Sequence, residues 1–391
     1  MKVFLSAHQK YYIFRLAEYL DNHGVLSSLV SIYPKFKVKE YAIDPRRLGT
    51  ISHLGALRLV ANKLHKKLPT TWFSNHFDAQ VIKRLRAHPE KPDIFHGLSG
   101  YCLESLRWAK RHGIKTVLDR ACPHVDFQSQ LLTEEYNLLH GTSEPVIPNE
   151  LREKMIAEYD EADIILVPSR YTYNSFIQYG YSPQKLRLAP LTPEKQLRPS
   201  ETQTENKKFI VFSAGFNFYR KGFYYLMKAW ESLDLPNAEL IIRNVVPDEF
   251  RRFADFHSIT LLDGHVSNEK LAQLYQNSDV FALLSVDEGF GMVGVEAMSA
   301  GKPIIVTENV GMADVIVNGK EGFVIPIRDV NAAKEAILKL YEDQALRVKM
   351  AKSALETAQR VTVSTYGDAV LKAYKSLWKS PAEVKVSEEV M

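Results

Sequence analysis

The sequence predicts an α/β protein with two Rossmann-like, doubly wound domains that face each other across a cleft. The chain has 391 residues, which is too many for one ordinary hydrophobic core. Short apolar runs alternate with amphipathic helical stretches, a pattern typical of βαβ units and parallel sheets. A polar stretch at 192–208, which contains Pro193 and Pro199, interrupts this alternation once. We expect this stretch to link the two domains.

The alternation can be followed along both halves of the chain. Before the interruption, strands are predicted at 2–7, 25–33, 93–99, 115–121, 163–169 and 185–191. Helices are predicted there at 12–23, 102–112, 148–162 and 170–180, with helix-like pieces near 51–67 and 75–88. After it, strands are predicted at 209–215, 238–243, 259–263, 279–285, 303–307 and 322–326. The helices expected there are 222–233, 267–277, 292–300 and 330–341, followed by a helical region at 343–379 with breaks near Val361 and Gly367. The predicted domains are 1–195 and 205–362.

The composition is that of an ordinary folded protein, with 46% hydrophobic and 25% charged residues. The two cysteines, Cys102 and Cys122, have neither metal-type nor disulfide-framework spacing, which fits a reducing cytoplasm. No run of about 18 apolar residues predicts a membrane span, and the apolar start of the chain is too short for a signal peptide. We therefore expect a cytoplasmic protein, or one peripheral to the inner face of the membrane.

The positive charge is concentrated near the N-terminus. Residues 1–120 contain 21 lysines and arginines but only 9 aspartates and glutamates, although the whole chain has a net charge of only +4. This asymmetry favours an acidic partner such as anionic lipid, lipid-linked phosphate or nucleic acid, while a scattered solvated surface is the alternative.

One stretch combines these charges with an apolar face. The basic residues are Lys63, Lys66, Lys67, Lys83, Arg84 and Arg86, and Trp72 and Phe73 lie among them. The helix expected at 51–67 places Ile51, Leu54, Leu57, Val60 and Leu64 roughly on one face. Such a helix can dock on an anionic membrane, or it can simply cover the core of its own domain.

The most informative motif is Glu288-Gly289-Phe290-Gly291-Met292-Val293-Gly294-Val295-Glu296. It follows a predicted strand, so its glycines lie at a strand-to-helix junction where backbone amides can approach a ligand closely. Glu288 would stand at the strand end, and Glu296 within the helix. Two carboxylates at such a junction suit the hydroxyl groups of a ribose and a sugar. The alternative is a helix start with incidental surface glutamates.

A second motif, 213–222, follows the first strand of the second domain. Arg220 and Lys221 lie there beside Gly222, at the predicted start of a helix. Two cations and free helix amides form a natural diphosphate site, although a solvated basic turn would look the same in sequence. No P-loop occurs, and no G-x-G-x-x-G pattern follows the first strand of the chain, which argues against a nicotinamide-dependent dehydrogenase.

Together these motifs resemble the retaining glycosyltransferase family 4 (glycosyl transferases group 1), whose fold is called GT-B. The resemblance extends from about Phe209 to Phe323. The matching residues are Gly215, Arg220-Lys221-Gly222, Gly264-His265-Val266, Glu288-Gly289-Phe290-Gly291, Glu296-Ala297-Met298 and Gly301-Lys302-Pro303. The first half resembles the family more loosely, and 363–380 is similar to its terminal helix, which packs back onto the N-terminal domain.

The resemblance implies a role for each of these residues. Glu296 would bind the ribose of a donor nucleotide. Glu288 and the amides of Gly289, Phe290 and Gly291 would hold the donor sugar. Lys221 and Arg220 would neutralise the diphosphate, and Gly215 and Val266 would line the donor site. His124 would contact the donor sugar, so Glu288, Lys221, Arg220 and His124 form the expected catalytic set. No metal or cofactor is expected, because the nucleotide sugar is a substrate and the sequence has no Asp-x-Asp motif.

The sequence departs from the family pattern in both halves. Phe216 stands where the family often has an arginine, so Arg220 is expected to take over its charge. The family's glycine-rich loop after the first strand is Ala7-His8-Gln9-Lys10 here, where Lys10 would supply charge or the loop would serve only the acceptor.

The resemblance therefore predicts a retaining enzyme that moves a sugar from UDP or GDP to a carbohydrate or lipid-linked acceptor. The first domain would then lie on the acceptor side and the second would bind the donor. The expected pathway is synthesis of surface polysaccharide, lipopolysaccharide or glycolipid, without a nucleic-acid partner. An epimerase or a phosphorylase of the same fold, or a non-catalytic binding subunit, are the alternatives. Besides the residues above, His96 is expected to be structural, and Glu134 and Glu135 are weaker candidates for an acceptor contact.

Overall fold

The computed structural model describes residues 1–8, 10–64, 66, 68–141, 145–194, 196–199, 208–255, 258–264 and 266–378. Seven parallel strands of the first half form one sheet in the order β3-β2-β1-β4-β5-β6-β7. Their bounds are β1 Val3–Ala7, β2 Leu26–Ser31, β3 Leu48–Thr50, β4 Ile94–Leu98, β5 Lys115–Asp119, β6 Ile164–Val167 and β7 Leu186–Leu188. The helices of this half are α1 Tyr11–Asn22, α2 Ser52–Lys63, α3 Thr70–Arg86, α4 Leu103–Arg111, α5 Val125–His140, α6 Asn149–Glu161 and α7 Arg170–Gln178.

The second half repeats this design with six parallel strands in the order β10-β9-β8-β11-β12-β13. Their bounds are β8 Phe209–Ala214, β9 Ala238–Arg243, β10 Ile259–Leu262, β11 Val280–Leu283, β12 Ile304–Thr307 and β13 Gly322–Ile325. The helices are α8 Phe223–Glu231, α9 Asn268–Asn277, α10 Met292–Ser299, α11 Val330–Glu342, α12 Gln344–Ala358 and α13 Val363–Ser376. In each sheet the strand order reverses beside the first strand, and ligands of such sheets bind at the carboxyl ends of the strands near this point.

The predicted fold class is confirmed, because both halves are parallel sheets with interleaved helices. Strands such as β6 and β11 are buried along their whole length. A parallel strand covered by helices on both faces reads as a continuous apolar run, which is why the sequence marked these strands well. Every strand predicted from the sequence has a counterpart in the structure.

Two elements were not predicted. β3 is only three residues long and partly buried, so it lacks the apolar run that marks the other strands. The apolar residues of α5 do not follow one helical pattern, because its two ends pack against different domains. Val125 and Leu132 are buried in the first domain, whereas Tyr136 and Leu139 pack against the core of the second.

The last described helix, α13, returns to the first domain. The expected break near Val361 is confirmed, since α12 ends at Ala358 and α13 begins at Val363. The break expected at Gly367 is wrong, because Gly367 lies inside α13. A Cβ atom on Gly367 would come within 2.3 Å of the Tyr19 ring, so this glycine allows α13 to pack closely on α1. The Tyr374 hydroxyl of α13 lies 2.6 Å from His96 Nδ1, which gives His96 a buried structural contact.

Part of the expected linker, 200–207, lies outside the described residues, as does Lys195. Among the helices that are described, none is both long and apolar enough to cross a membrane.

Candidate functional site

Glu288 lies just beyond β11, at the carboxyl edge of the second sheet. The backbone turns sharply between this strand and α10, and Gly291 at the start of the helix has a φ of +96°. Gly289 lies against the first domain, where a Cβ atom would come within 1.9 Å of the Ala121 carbonyl oxygen. Gly289 is therefore required for the two domains to approach each other. The sequence had indicated close approach at these glycines, but for Gly289 the nearby group belongs to the protein itself.

Two cations lie against the Glu288 carboxylate. Lys221 Nζ donates a hydrogen bond to Glu288 Oε2, and Arg220 Nη2 lies 3.2 Å from the same oxygen. Both cations come from the loop between β8 and α8. Gly222 has a φ of +64°, and a Cβ atom there would lie 1.9 Å from the Leu284 carbonyl oxygen. This glycine thus brings the loop against the end of β11 and its cations onto Glu288.

Gly215 makes room for the Lys221 side chain. A Cβ atom on Gly215 would come within 2.9 Å of Lys221 Cε and 3.1 Å of its Cδ. The Asn244 side chain also donates a hydrogen bond to the Gly215 carbonyl at 2.9 Å, which fixes the end of β8. Gly215, Lys221 and Gly222 therefore act as one structural unit.

The surroundings favour an ionised Glu288. Burial alone would raise the pKa of its carboxyl group, but the charges of Lys221 and Arg220 outweigh that effect and bring the pKa below its usual value. The carboxylate and its cations form a compact, largely buried cluster, which we call the Glu288 cluster (Arg220, Lys221 and Glu288).

Asp287, which the sequence analysis did not single out, joins this cluster to the first domain. Its side chain is fully buried and lies 3.3 Å from Arg220 Nε. From the first domain, Gln128 donates to one Asp287 oxygen at 2.6 Å and the Tyr171 hydroxyl donates to the other at 3.0 Å. Arg120 in turn donates to the Gln128 side-chain oxygen at 2.9 Å. One buried carboxylate therefore accepts hydrogen bonds from the first domain while it pairs with a cation of the second.

Further polar contacts hold the domains together around this point. The Ser169 hydroxyl donates to the Gly289 carbonyl at 2.7 Å, and the Arg170 amide donates to Asp314 at 2.5 Å. Arg328 pairs with Glu135 at 2.8 Å and with Glu134 at 2.9 Å. These two glutamates, weak candidates for an acceptor contact, thus bind a cation of the opposite domain.

Glu296 lies about one turn into α10 and has a different environment. The Tyr275 hydroxyl of α9 donates to Glu296 Oε2 at 3.1 Å. Burial raises the pKa of Glu296 to about 7, and the charge of Glu194 adds to this rise despite the hydrogen bond from Tyr275. Unlike Glu288, Glu296 has no close cation to balance its charge among the described residues. It is poised to change its protonation state near neutral pH.

The structure encloses His124 in the first domain. The residue is 2% exposed, caps α5 by accepting a hydrogen bond from the Asp126 amide, and stacks on Tyr179 with ring centroids 4.4 Å apart. Burial, helped by Arg120 and Arg152, lowers the pKa of the imidazole to about 4. His124 is thus not brought to the Glu288 cluster here, and its contact with a donor sugar stays a prediction.

The structure also gives the surroundings of Phe216 and Val266, which the sequence analysis had singled out. Phe216 is exposed, and the Arg243 guanidinium from the end of β9 lies 4.5 Å from the centre of its ring. Arg243 is therefore a cation next to the position where the family often has an arginine, a proximity that only the fold creates. Val266 is half-buried just before α9, and its neighbour His265 lies outside the described residues.

The two tandem parallel sheets and the loops at their carboxyl edges define a GT-B protein. Residues 194–357 match the family model described as "Glycosyl transferases group 1". The match covers less than half of the chain and lies in its second domain, which resembles the glycosyl transferases group 1 family.

Two relatives have curated names. A D-inositol 3-phosphate glycosyltransferase of Corynebacterium urealyticum is 26% identical over 57% of this chain and 59% of its own length. An uncharacterized glycosyltransferase of Methanocaldococcus jannaschii is 23% identical over 83% of this chain and 95% of its own length. The chain thus spans less than two thirds of the first relative but nearly all of the second.

Solved structures share the whole fold. A sucrose-phosphate synthase from Thermosynechococcus elongatus has a TM-score of 0.73 at 17% identity, covering 97% of this chain and 99% of the other. Anabaena HepE, solved in complex with UDP-glucose, has a TM-score of 0.67 at 16% identity over 96% of this chain and 100% of the other. At this level of identity the likeness establishes the arrangement of both domains.

Proposed function

We propose that the protein transfers a sugar from a nucleoside-diphosphate sugar, UDP- or GDP-linked, to a carbohydrate or lipid-linked acceptor, with retention of anomeric configuration. The observation that carries this proposal is the Glu288 cluster. It combines two cations and a carboxylate with the free amides of a helix start, at the edge of a parallel sheet where ligands bind.

In this proposal the cations stabilise the departing nucleoside diphosphate. Breaking the bond between sugar and diphosphate places negative charge on the leaving group, and fixed cations in a site with little water lower the energy of that state. Lys221 and Arg220 are positioned by glycine contacts and by Asp287, so little reorganisation is needed when the charge develops. No metal or cofactor takes part in the step.

The donor would exchange partners with Glu288. In the structure, Lys221 and Arg220 pair with this carboxylate. An incoming diphosphate would compete for both cations, leaving the Glu288 oxygens free to accept hydrogen bonds from the sugar hydroxyls. One anion replaces another at the cations, which therefore remain compensated, while the sugar hydroxyls would supply hydrogen bonds to the carboxylate that the cations release. Gly215, Gly289, Phe290 and Gly291 would shape the pocket, and Val266 would lie near the base.

Glu296 is assigned to the ribose. Its pKa of about 7 means that hydroxyl donors from a ribose would shift it to the ionised state on binding. The complex of Anabaena HepE with UDP-glucose and the glycosyltransferase names of both relatives support a nucleotide-sugar donor. UDP-glucose is accordingly the first donor to test. The acceptor and a cytoplasmic or membrane-peripheral location, in polysaccharide, lipopolysaccharide or glycolipid synthesis, complete the proposal.

A donor screen tests the proposal directly. UDP- and GDP-sugars are added singly, and the thermal midpoint of unfolding is measured. A ligand at 100 times its dissociation constant stabilises the folded state by about 2.7 kcal/mol. Lys221→Gln should reduce this stabilisation, whereas Lys228→Gln, which changes a lysine on the neighbouring helix α8, should keep it. If no nucleotide sugar stabilises the wild-type protein, the proposal fails.

The active donor is then incubated with candidate acceptors, and the product linkage is read by NMR. Sugar transfer with the donor's anomeric configuration supports a retaining transferase. Inversion contradicts the stereochemical part of the proposal, and a changed sugar still attached to its nucleotide, formed without acceptor, indicates an epimerase instead.

A further inference from the structure

Helix α2 has apolar side chains on two faces, one buried in the first domain and one exposed. Ile51, just before the helix, and Leu54 and Ala61 within it are buried in the first domain. On the other side Leu57, Leu59, Val60 and Leu64 are 36%, 54%, 52% and 61% exposed. The single apolar face expected from the sequence is therefore split. Its first part covers the core, and its last part faces solvent together with Leu59.

The exposed side chains form one continuous surface. At about 100° per residue, positions 56, 57, 59, 60, 63 and 64 fall within an arc of about 160°. We call this the α2 surface (Ala56, Leu57, Leu59, Val60, Lys63 and Leu64). A helix on the surface of a globular protein normally directs polar residues outward. Contiguous exposed apolar side chains instead mark a site of interaction with another body.

Basic side chains accompany the α2 surface. Arg58 and Lys66 line a cavity of about 260 Å³ together with Leu68, Phe73 and Tyr101. Within the described part of the chain, no ion pair joins Arg58, Lys63 or Lys66 to an acidic side chain. Trp72, near the start of α3, is 41% exposed. Apolar side chains and cations without an acidic partner thus lie on and beside α2, and an exposed tryptophan lies near the start of the next helix. Lys67 lies outside the described residues.

We propose that the α2 surface docks on an anionic lipid bilayer, with the helix lying in the interface. The apolar side chains would enter the boundary between head groups and acyl chains, and Lys63 would remain at head-group level. The phosphate of an anionic lipid would reach Arg58 and Lys66 in the neighbouring cavity. Apolar burial and attraction between basic residues and anionic lipid reinforce each other in this geometry.

Charge favours a bilayer over a second copy of the chain. A symmetric dimer would place the α2 surface against its own copy, and the unneutralised Arg58, Lys63 and Lys66 would then face like charges. An anionic bilayer neutralises the same cations. Because α2 follows β3 directly, the docked helix would hold the carboxyl edge of the first sheet near the membrane. Docking does not depend on the donor site, so it goes beyond the proposed transfer reaction.

Vesicle sedimentation of the full chain, without any nucleotide, tests the inference. We expect binding to phosphatidylcholine vesicles that contain phosphatidylglycerol at low salt, release as salt rises, and little binding to phosphatidylcholine alone. Lys63→Gln with Lys66→Gln should weaken binding about 30-fold at low salt, from about 1 kcal/mol per lysine. The charge control is Lys270→Gln with Lys352→Gln, two exposed lysines of the second domain.

The apolar contribution has its own variant pair. Leu59→Asn with Leu64→Asn should weaken partitioning by about tenfold or more, since each leucine loses apolar burial. The control is Leu138→Asn with Val348→Asn, which changes side chains that are 60% and 63% exposed elsewhere. Equal binding to neutral and anionic vesicles, or α2 variants that bind like their controls, would overturn the inference. So would α2 variants that turn a dimer into a monomer while vesicle binding is unchanged. Thermal stabilisation by the donor should be the same in all these variants, which separates this inference from the proposed function.

Discussion

The two halves of the molecule share the same order of six strands, to which β7 adds a seventh in the first half, but differ at the loop where such sheets bind anions. After β8, the loop to α8 contains Gly215 and Gly222, and it carries Arg220 and Lys221 onto Glu288. After β1, the loop to α1 contains no glycine. Two sheets with the same strand order therefore carry different functional groups at corresponding loops.

In the first half an aromatic contact occupies the corresponding place. His8 is 7% exposed and stacks on Tyr101 with ring centroids 3.4 Å apart. Burial, with a smaller effect from Arg58, lowers the pKa of His8 to about 3, so the imidazole is neutral. Lys10 turns aside to pair with Glu40. The glycines and the paired cations beside Glu288 therefore have no counterpart in this loop of the first half.

The positions of individual cations matter more for the candidate site than the overall charge of each half. The basic residues of the sequence are concentrated in 1–120, yet the structure gathers the Glu288 cluster in the second half, which has more acidic than basic residues. A diphosphate responds to cations within a few ångströms, since exposed charges beyond about 10 Å are largely screened at physiological salt. The excess charge of the first half suits a larger anionic surface instead.

The largest expected effect concerns Asp287, which joins the two halves. Asp287→Asn removes a buried charge that pairs with Arg220 and accepts hydrogen bonds from Gln128 and Tyr171. Breaking a buried ion pair costs about 3–5 kcal/mol, and we expect the lower end because Arg220 retains Glu288. Thermal and denaturant unfolding measure the loss. Asp248→Asn is the matched control, since its side chain is 98% exposed and also pairs with an arginine. Equal stability of the two variants would mean that Asp287 does not hold the domains.

The next largest effect concerns Glu288, which is assigned to the donor sugar. Glu288→Gln should lower turnover at saturating donor by about 10- to 150-fold, the loss of one charge-assisted hydrogen bond. Binding of free nucleoside diphosphate should not weaken, because Glu288 acts on the reacting sugar and its substitution removes a competitor for Lys221 and Arg220. Product formation and calorimetry measure the two quantities, with the exposed Glu308→Gln as control. Lost nucleotide binding with normal turnover would reverse the roles given to Glu288 and Glu296.

The smallest effect is a pH dependence at the ribose side. Because the pKa of Glu296 is about 7 in the unliganded protein, the carboxyl group is mostly protonated at pH 6. Ribose hydroxyls bind the ionised form better, so affinity for UDP-glucose should rise with pH up to about 7 and then level off. The change should be about tenfold per pH unit below the pKa, with up to one proton released on binding.

Calorimetry in buffers of different ionisation enthalpy measures this proton release. UDP-glucose is the suitable ligand, because its diphosphate has no ionisation near neutral pH. Glu296→Gln should weaken binding by about 10- to 150-fold and remove the pH dependence. An unchanged pH dependence in this variant would assign the titration to another group.

Sequence patterns predicted the parts of the fold that depend on local order. The buried strands and the glycine, lysine and glutamate motifs lie within short segments, where periodicity and backbone constraints act directly. Asp287 and Arg243 were not recognised, because their partners are distant in the chain and only the fold brings Gln128, Tyr171 and Phe216 to them. Gly367 was misread as a helix break for the same reason, since its need for close packing comes from Tyr19.

The most direct test of donor binding in the second half compares two lysines at corresponding loops. Lys221→Gln and Lys10→Gln each remove one cation near the end of the first strand of a sheet. Calorimetry with UDP-glucose should find binding about 10- to 150-fold weaker for Lys221→Gln, which loses a charge-assisted contact with the diphosphate, and essentially unchanged for Lys10→Gln. Thermal unfolding confirms that both variants are folded. Lost affinity in Lys10→Gln with normal affinity in Lys221→Gln would place the donor in the first half and contradict the central claim.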